Sequence, residues 1–235
     1  MSGHSKWANI KHRKAKADAQ RGAAFTKAAR EIIVAVKQGG PLPEANFRLR
    51  MAIDNARAVN MPNESIQRAI QRASSAANSE NYEEIVYEGY GPGGVAIMVE
   101  TATDNRNRTA SDMRYIFSRH GGNLGEAGCV AWMFDRKGSI TVDKDSFTDG
   151  EDALMMIAVD SGAEDLRAYD DYYEVVTSPE ELDAVRKALE HAGVEVQSAR
   201  IVRNPKTTVT LGTREAGQTM RLMEALDDHD DVQHV

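Results

Sequence analysis

Lys6, Lys11, Arg13, Lys14, Lys16 and Arg21 crowd the start of the chain, with Trp7 and His12 among them and Asp18 as the one acid before Glu31. Each cation can neutralise a phosphate and release its counterions, and an indole offers a flat face to an unpaired base. The bland alternative is a solvated basic helix with Trp7 tucked against its neighbours. Charge distribution favours binding. The whole chain carries 29 Lys and Arg against 36 Asp and Glu, a net charge of −7, yet through Arg72 it holds 14 basic residues against 5 acidic and beyond it 15 against 31. A basic block on an acidic protein is the footprint of a polyanion-binding surface. Lys27 and Arg30 carry that field onto the next helix.

A second group with usable chemistry is Asp104-Asn105-Arg106-Asn107-Arg108-Thr109, at an expected strand-to-helix junction. Asn105, Arg106 and Arg108 can grip phosphates or read base edges, and a helix N-terminus adds its own positive end. One of these polar residues, Asn107 or Asp104, is expected to cap the helix, which leaves both arginines outside.

Other constellations are weak. Gly89-Tyr90-Gly91-Pro92-Gly93-Gly94 lacks the Lys-Ser/Thr of a phosphate loop and joins two strands, and Gly121 to Gly128 follows a helix instead of opening one. Turns and close packing are the expected uses, although an exposed glycine loop also lets RNA approach. Histidines 4, 12, 120, 191, 229 and 234 form no HExxH pair, and no GxSxG elbow occurs. Cys129 reads as a small buried hydrophobe at a strand start. Asp227, Asp228, Asp230 and Asp231 with His229 lack the spaced oxygens of a calcium loop and read as a solvated helix end. A hydrolase built on Cys129 or on this acid cluster therefore has no acid, base and nucleophile set. The expectation is a non-enzyme with no cofactor, no metal and no small-molecule substrate.

The elements that must position these groups follow from periodicity. Phe25, Ala28, Ala29, Ile32, Ile33 and Val36 mark one helix, ended by Gly39-Gly40-Pro41; Leu49, Ala52, Ile53 and Ala56 mark a second; Ile66, Ala69, Ile70 and Ala73 mark a third, with Asn63 as its expected N-cap. Arg48, Arg50, Arg57, Arg68 and Arg72 extend the positive field over their outer face. Residues 74–81 are small and polar and read as a linker. Two strands follow, 82–90 and 95–101, then a helix over 108–120 with Ala110, Met113, Ile116 and Phe117 inward. From Gly138 the order is strand 139–142, helix 151–159, strands 164–168 and 172–176, helix 179–191 and strand 195–202, a ferredoxin-like βαββαβ unit. A strand at 207–211, a helix at 215–226 and the apolar end 232–235 have no partners of their own, so they are expected to return to the sheet begun at residue 82.

The fold class is thus α+β. A basic arm and helical bundle (1–76) precede a discontinuous middle α/β domain (82–132 with 206–235) into which a ferredoxin-like α/β domain (133–205) is inserted. The basic start has neither an apolar core nor a cleavage site, and no run approaches the roughly 20 apolar residues of a membrane span. One cysteine excludes an internal disulfide. A cytoplasmic protein without membrane partners is expected, and nothing indicates a dimer seam, so a monomer is favoured.

MSGHSKWANIKHRK at the start, MPNESIQRAI (61–70), YEGYGPGGVA (87–96), TDNRNRT (103–109), GGNLG (121–125) and the closing HDDVQ (229–233) together closely resemble the YebC family. The resemblance implies a helical N-terminal domain and two α/β domains. It also implies a regulator: bacterial members are commonly described as DNA-binding transcriptional regulators, mitochondrial relatives are translational activators, and some bacterial ones look like ribosome-associated translation factors. None is generally regarded as an enzyme. Carried over, the N-terminal motif falls on Ser2 to Lys14 and the interdomain polar motif on Asp104 to Arg108. The implied partner is nucleic acid, DNA or ribosomal RNA, with the ribosome as a candidate. The chain departs from the pattern at Cys129, where Ser is expected, and closes at Val235 a few residues early, which is expected to shorten the last strand.

Overall fold

The computed structural model describes residues 22–75 and 82–235. The first helix, α1 (Gly22–Gly39), buries Ala28, Ile32, Ala35 and Val36 at helical spacing. It stops where Gly40 takes a left-handed backbone (φ +85°) that a side chain would strain. Helix α2 (Phe47–Ala58) starts at Asn46, whose Oδ1 accepts from Leu49 N at 3.0 Å while its amide donates to Ala35 O and Gly40 O at 2.7 and 2.8 Å. One buried asparagine thus ends α1 and caps α2. Helix α3 (Asn63–Ser74) closes the bundle. Asn63 is its first helical residue, not its cap: Pro62 holds that position, and its carbonyl accepts from Ser65 N and Ile66 N. Ile32, Leu49, Ala52, Ile66 and Ala69 meet in the bundle core.

Strands β1 (Glu83–Tyr90) and β2 (Ala96–Thr103) pair antiparallel in the register Glu83↔Thr103 to Tyr90↔Ala96, joined through a 3-10 turn at Pro92–Gly94. Helix α4 (Arg106–Arg119) follows and buries Thr109, Met113 and Phe117. A two-residue strand β3 (Asn123–Leu124) pairs with β1. After the inserted unit, helix α7 (Thr213–Asp227) packs Leu222 and Leu226 against Ile97, Val99, Met113 and Phe117, and β8 (Val232–His234) hydrogen-bonds to β2. The sheet order is β3-β1-β2-β8. The strand expected at 207–211 does not form. Thr207, Thr208, Val209 and Thr210 have strand propensity but lie exposed with no ladder partner, and that propensity is realised only against a neighbouring strand.

The inserted unit comprises β4 (Phe134–Asp143), α5 (Glu151–Asp160), β5 (Asp165–Ala168), β6 (Tyr172–Thr177), α6 (Leu182–His191) and β7 (Val196–Pro205). Its strand order β5-β6-β4-β7 is that of a ferredoxin-like sheet. Ile140, Val142, Leu154, Ala158, Val175, Leu182, Val185 and Leu189 are among its buried residues. Helix α6 starts three residues later than the Pro179 signal suggests, because Ser178 Oγ accepts from Glu181 N and the chain completes a turn first. One compact unit takes in the described residues through Phe134 together with Pro205–Val235; the second is Asp135–Asn204.

Candidate nucleic-acid interface

Lys6, Trp7, Lys11, His12, Arg13, Lys14, Lys16 and Arg21 lie outside the described residues. The junction is described. Thr103 ends β2, and Asn105, not Asn107 or Asp104, caps α4: its backbone is extended and its Oδ1 accepts from Arg108 N at 3.1 Å. Asn105 N is in turn held by Thr103 Oγ1 at 2.9 Å. The cap frees Asn107 and leaves Arg106 exposed, with no side-chain partner among the described residues.

Arg108 has two partners, Asp104 at 2.8 Å and Asp231 at 2.9 Å, both on Nη2. Its other nitrogens have none among the described residues, and the side chain is half exposed. Asp231 is the centre of the arrangement. It is 2% exposed. Its Oδ2 receives Arg108 and the Thr109 hydroxyl (2.7 Å), with the Thr103 hydroxyl at 3.2 Å, and its Oδ1 receives Arg30 Nη1 at 2.7 Å. Burial pushes the Asp231 carboxyl up, but hydrogen bonds from Arg108 and Thr109 and the charges of Arg30 and Arg108 outweigh it, so the carboxyl sits below the ordinary aspartate range. His229 completes the turn: its Nδ1 accepts from Asp231 N, which puts the ring proton on Nε2, 3.2 Å from Asp112.

One carboxylate therefore ties Arg30 of the bundle to Arg108 of the junction. Arg30 also donates to Asp230 O and lies over the Tyr82 ring at 5.5 Å, while Lys27 donates to Asp227 O. These two cations are spent on the C-terminal acidic turn. The outer arginines of the bundle are paired too, Arg48 with Glu84, Arg57 with Asp54 and Arg68 with Glu64. The last two pairs are solvent-exposed, and such pairs hold by no more than about 1 kcal/mol, so a phosphate can displace them, whereas Arg48 grips Glu84 through two nitrogens.

Sequence reasoning missed Asp231, although its motif was in view. A run of acids after a helix reads as solvated; what distinguishes Asp231 is apolar Val232 entering the sheet beside it. Glu88 was missed as well. It is buried in β1, and its carboxylate accepts from Gly128 N, Val130 N and Ala131 N at 2.7, 2.8 and 2.8 Å, clamping the loop between β3 and β4. At Gly125 a β-carbon would come within 2.5 Å of Cys129 Sγ, so any larger residue there would have to turn that thiol aside. Cys129 sits in this turn, not at a strand start, and burial together with the nearby Glu88 charge pushes its thiol up, away from thiolate chemistry. The Cys129 carbonyl accepts from Tyr90 Oη and Trp132 Nε1, which fixes a Trp132 ring that is 68% exposed. Among the described residues no group of three or more His, Cys, Asp or Glu side chains is arranged to hold a metal ion, and no helix is long and apolar enough to cross a membrane.

A three-helix bundle followed by a discontinuous α/β layer with an inserted ferredoxin-like unit defines the class. Residues 5–76 match the family described as the TACO1/YebC protein N-terminal domain and residues 82–235 match the TACO1/YebC second and third domain. The chain belongs to the TACO1/YebC family. It is 56% identical to a probable transcriptional regulatory protein of Pelotomaculum thermopropionicum, over 100% of this chain and 97% of that one, and 55% identical to one of Desulfitobacterium hafniense, over 100% and 94%. A crystal structure of a conserved hypothetical protein from Aquifex aeolicus superposes with a TM-score of 0.87 at 47% identity, covering 92% of this chain and 89% of that one.

Proposed function

We propose that this chain regulates gene expression by holding nucleic acid without chemically changing it, and that its target is structured RNA of the translation apparatus. The observation that carries the reading is the junction: a capped helix start presents Arg106 and half of Arg108 to solvent, while buried Asp231 fixes the Arg108 fork. A guanidinium held in place loses less entropy on gripping a phosphate. The basic arm supplies the remaining affinity, and the ribosome is the expected partner of a cytoplasmic monomer. Duplex DNA is the second reading, favoured by relatives named probable transcriptional regulatory proteins. Against it stands the outer surface among the described residues, where the arginines are dispersed over bundle and junction; α3, whose exposed side gathers Gln67, Arg68, Gln71 and Arg72, holds Arg68 on Glu64.

Binding is expected to fall with salt, log K dropping by about 0.7 to 0.9 per phosphate contact per log unit. Deleting residues 2–21 flattens that slope. Arg106→Ala lowers the slope by about one contact and leaves stability within about 0.5 kcal/mol, because the cap belongs to Asn105. The deciding measurement is competition: labelled ribosomes retain the protein at moderate salt, and unlabelled duplex DNA displaces it poorly. Displacement by nanomolar DNA of one particular sequence, with no retention on ribosomes, would overturn the RNA reading in favour of transcription.

A further inference from the structure

Helix α4 does more than start at the junction. Thr109, Met113 and Phe117 are buried on its inner side, and its exposed side is made of Asn107, Ser111, Arg114, Tyr115, Ser118 and Arg119. That side has no carboxylate. Asp112, the helix's one acid, sits at its edge and faces His229. On a chain of net charge −7, a helix face that offers cations and neutral hydrogen-bonding groups but no anion is complementary to a polyanion and repels an acidic protein surface.

Within this face Tyr115 is 59% exposed. The Arg119 guanidinium, one turn on, lies 5.7 Å from the ring centroid and donates to the phenolic oxygen. The pair fixes the ring and puts a cation beside it, and more than half of the side chain stays in water. Ser111 and Ser118, one turn before and after, are too small to cover it. Arg114 is exposed and has no partner among the described residues. A fixed aromatic face flanked by exposed guanidinium groups is the arrangement that stacks one base and neutralises the phosphates beside it.

We propose that the outer face of α4 is a binding strip for single-stranded RNA, in which Tyr115 stacks on an unpaired base and Arg114 and Arg119 contact the flanking phosphates. The strip deepens the proposed function and rests on it: it continues the helix face that carries Arg108, two turns or roughly 10 Å before Tyr115 at 1.5 Å per residue. A base already paired and stacked in a duplex offers Tyr115 no face, so the ring contributes only to unpaired strands.

The test is fluorescence anisotropy of the full chain with labelled oligouridine and with a labelled duplex RNA of equal charge. Tyr115→Ala is expected to weaken oligouridine binding about 5- to 100-fold, the loss of one stacked base, and to leave the duplex within about twofold. Tyr115→Phe keeps the ring and stays near wild type on both. Because the side chain is exposed, the thermal midpoint serves as the folding control. If Tyr115→Ala binds oligouridine as wild type does while Arg106→Ala is weakened, the strip is refuted and the proposed function stands. Equal losses on both probes refute stacking too. Should the wild type bind neither probe at low salt, both the strip and the reading beneath it fall.

Discussion

Asp231→Asn is expected to lower the stability of the first unit by about 3–5 kcal/mol, the cost of removing one partner from a buried charge network. The substitution keeps shape and removes charge. It leaves Arg30 and Arg108 facing an amide, and its NH2 group meets either the Arg30 donor or the threonine hydroxyls. Asp230→Asn is the control, since that side chain is exposed and Arg30 uses only its carbonyl; a change within about 0.5 kcal/mol is expected there. Denaturant unfolding followed by Trp132 emission, in a Trp7→Phe background, reads the first unit by itself. The pH dependence has a definite sign. The Asp231 carboxyl is lower in the folded chain than in the unfolded one, where an aspartate titrates near about 3.9. Its contribution is therefore complete above that value and is lost as pH falls below it through the depressed folded value. The gap between wild type and Asp231→Asn should stay constant from neutral pH down to about 5 and close below 4. A gap that instead opens on acidification would mean that the carboxyl is not held in its charged form.

The second large effect concerns the loop after β3. Glu88→Ala removes a carboxylate that accepts three main-chain N–H groups, each such charge-assisted bond being worth about 1.5–3 kcal/mol. Gly128 is exposed and can turn to water, whereas Val130 is buried and cannot, so the net cost is expected to be about 2–4 kcal/mol. Glu88→Gln, with one carbonyl oxygen for three donors and an NH2 set against one of them, should fall between the two. Release of the loop also frees Trp132, whose indole is anchored to the Cys129 carbonyl. Its fluorescence anisotropy should drop in Glu88→Ala under conditions where the far-UV spectrum is unchanged. An unchanged anisotropy would show that Tyr90 and the backbone alone hold the turn.

Local patterns account for much of this chain. The apolar residues of α1, α2 and α3 recur at three and four, the βαββαβ order of residues 134–205 is written in alternating runs and turn residues, and both signals act within a few residues of their source. The same holds for the return of the C-terminal elements, since α7 and β8 carry apolar faces that need a partner. Short-range signals also erred at two helix starts, where Asn105 and not Asn107 or Asp104 caps α4, and Pro62 and not Asn63 holds the cap position of α3. At α4 the outcome depends on where β2 ends and the chain turns, which neighbours in sequence do not set.

Three features were decided by tertiary structure. Residues 207–211 have strand-forming composition and no strand, because a ladder needs an edge and β8 takes the edge of β2. Asp231, one acid among several, is buried because it meets Arg30 across 201 positions and Arg108 across 123. Glu88, an acid in β1, is buried because the loop before β4 turns three main-chain N–H groups onto its carboxylate from about 40 positions away. Sequence determines which residues can form a helix, a strand or a charge pair. Which of the many charges is dehydrated follows from contacts made by residues far apart in the chain, and those exist only once the sheet has closed around them.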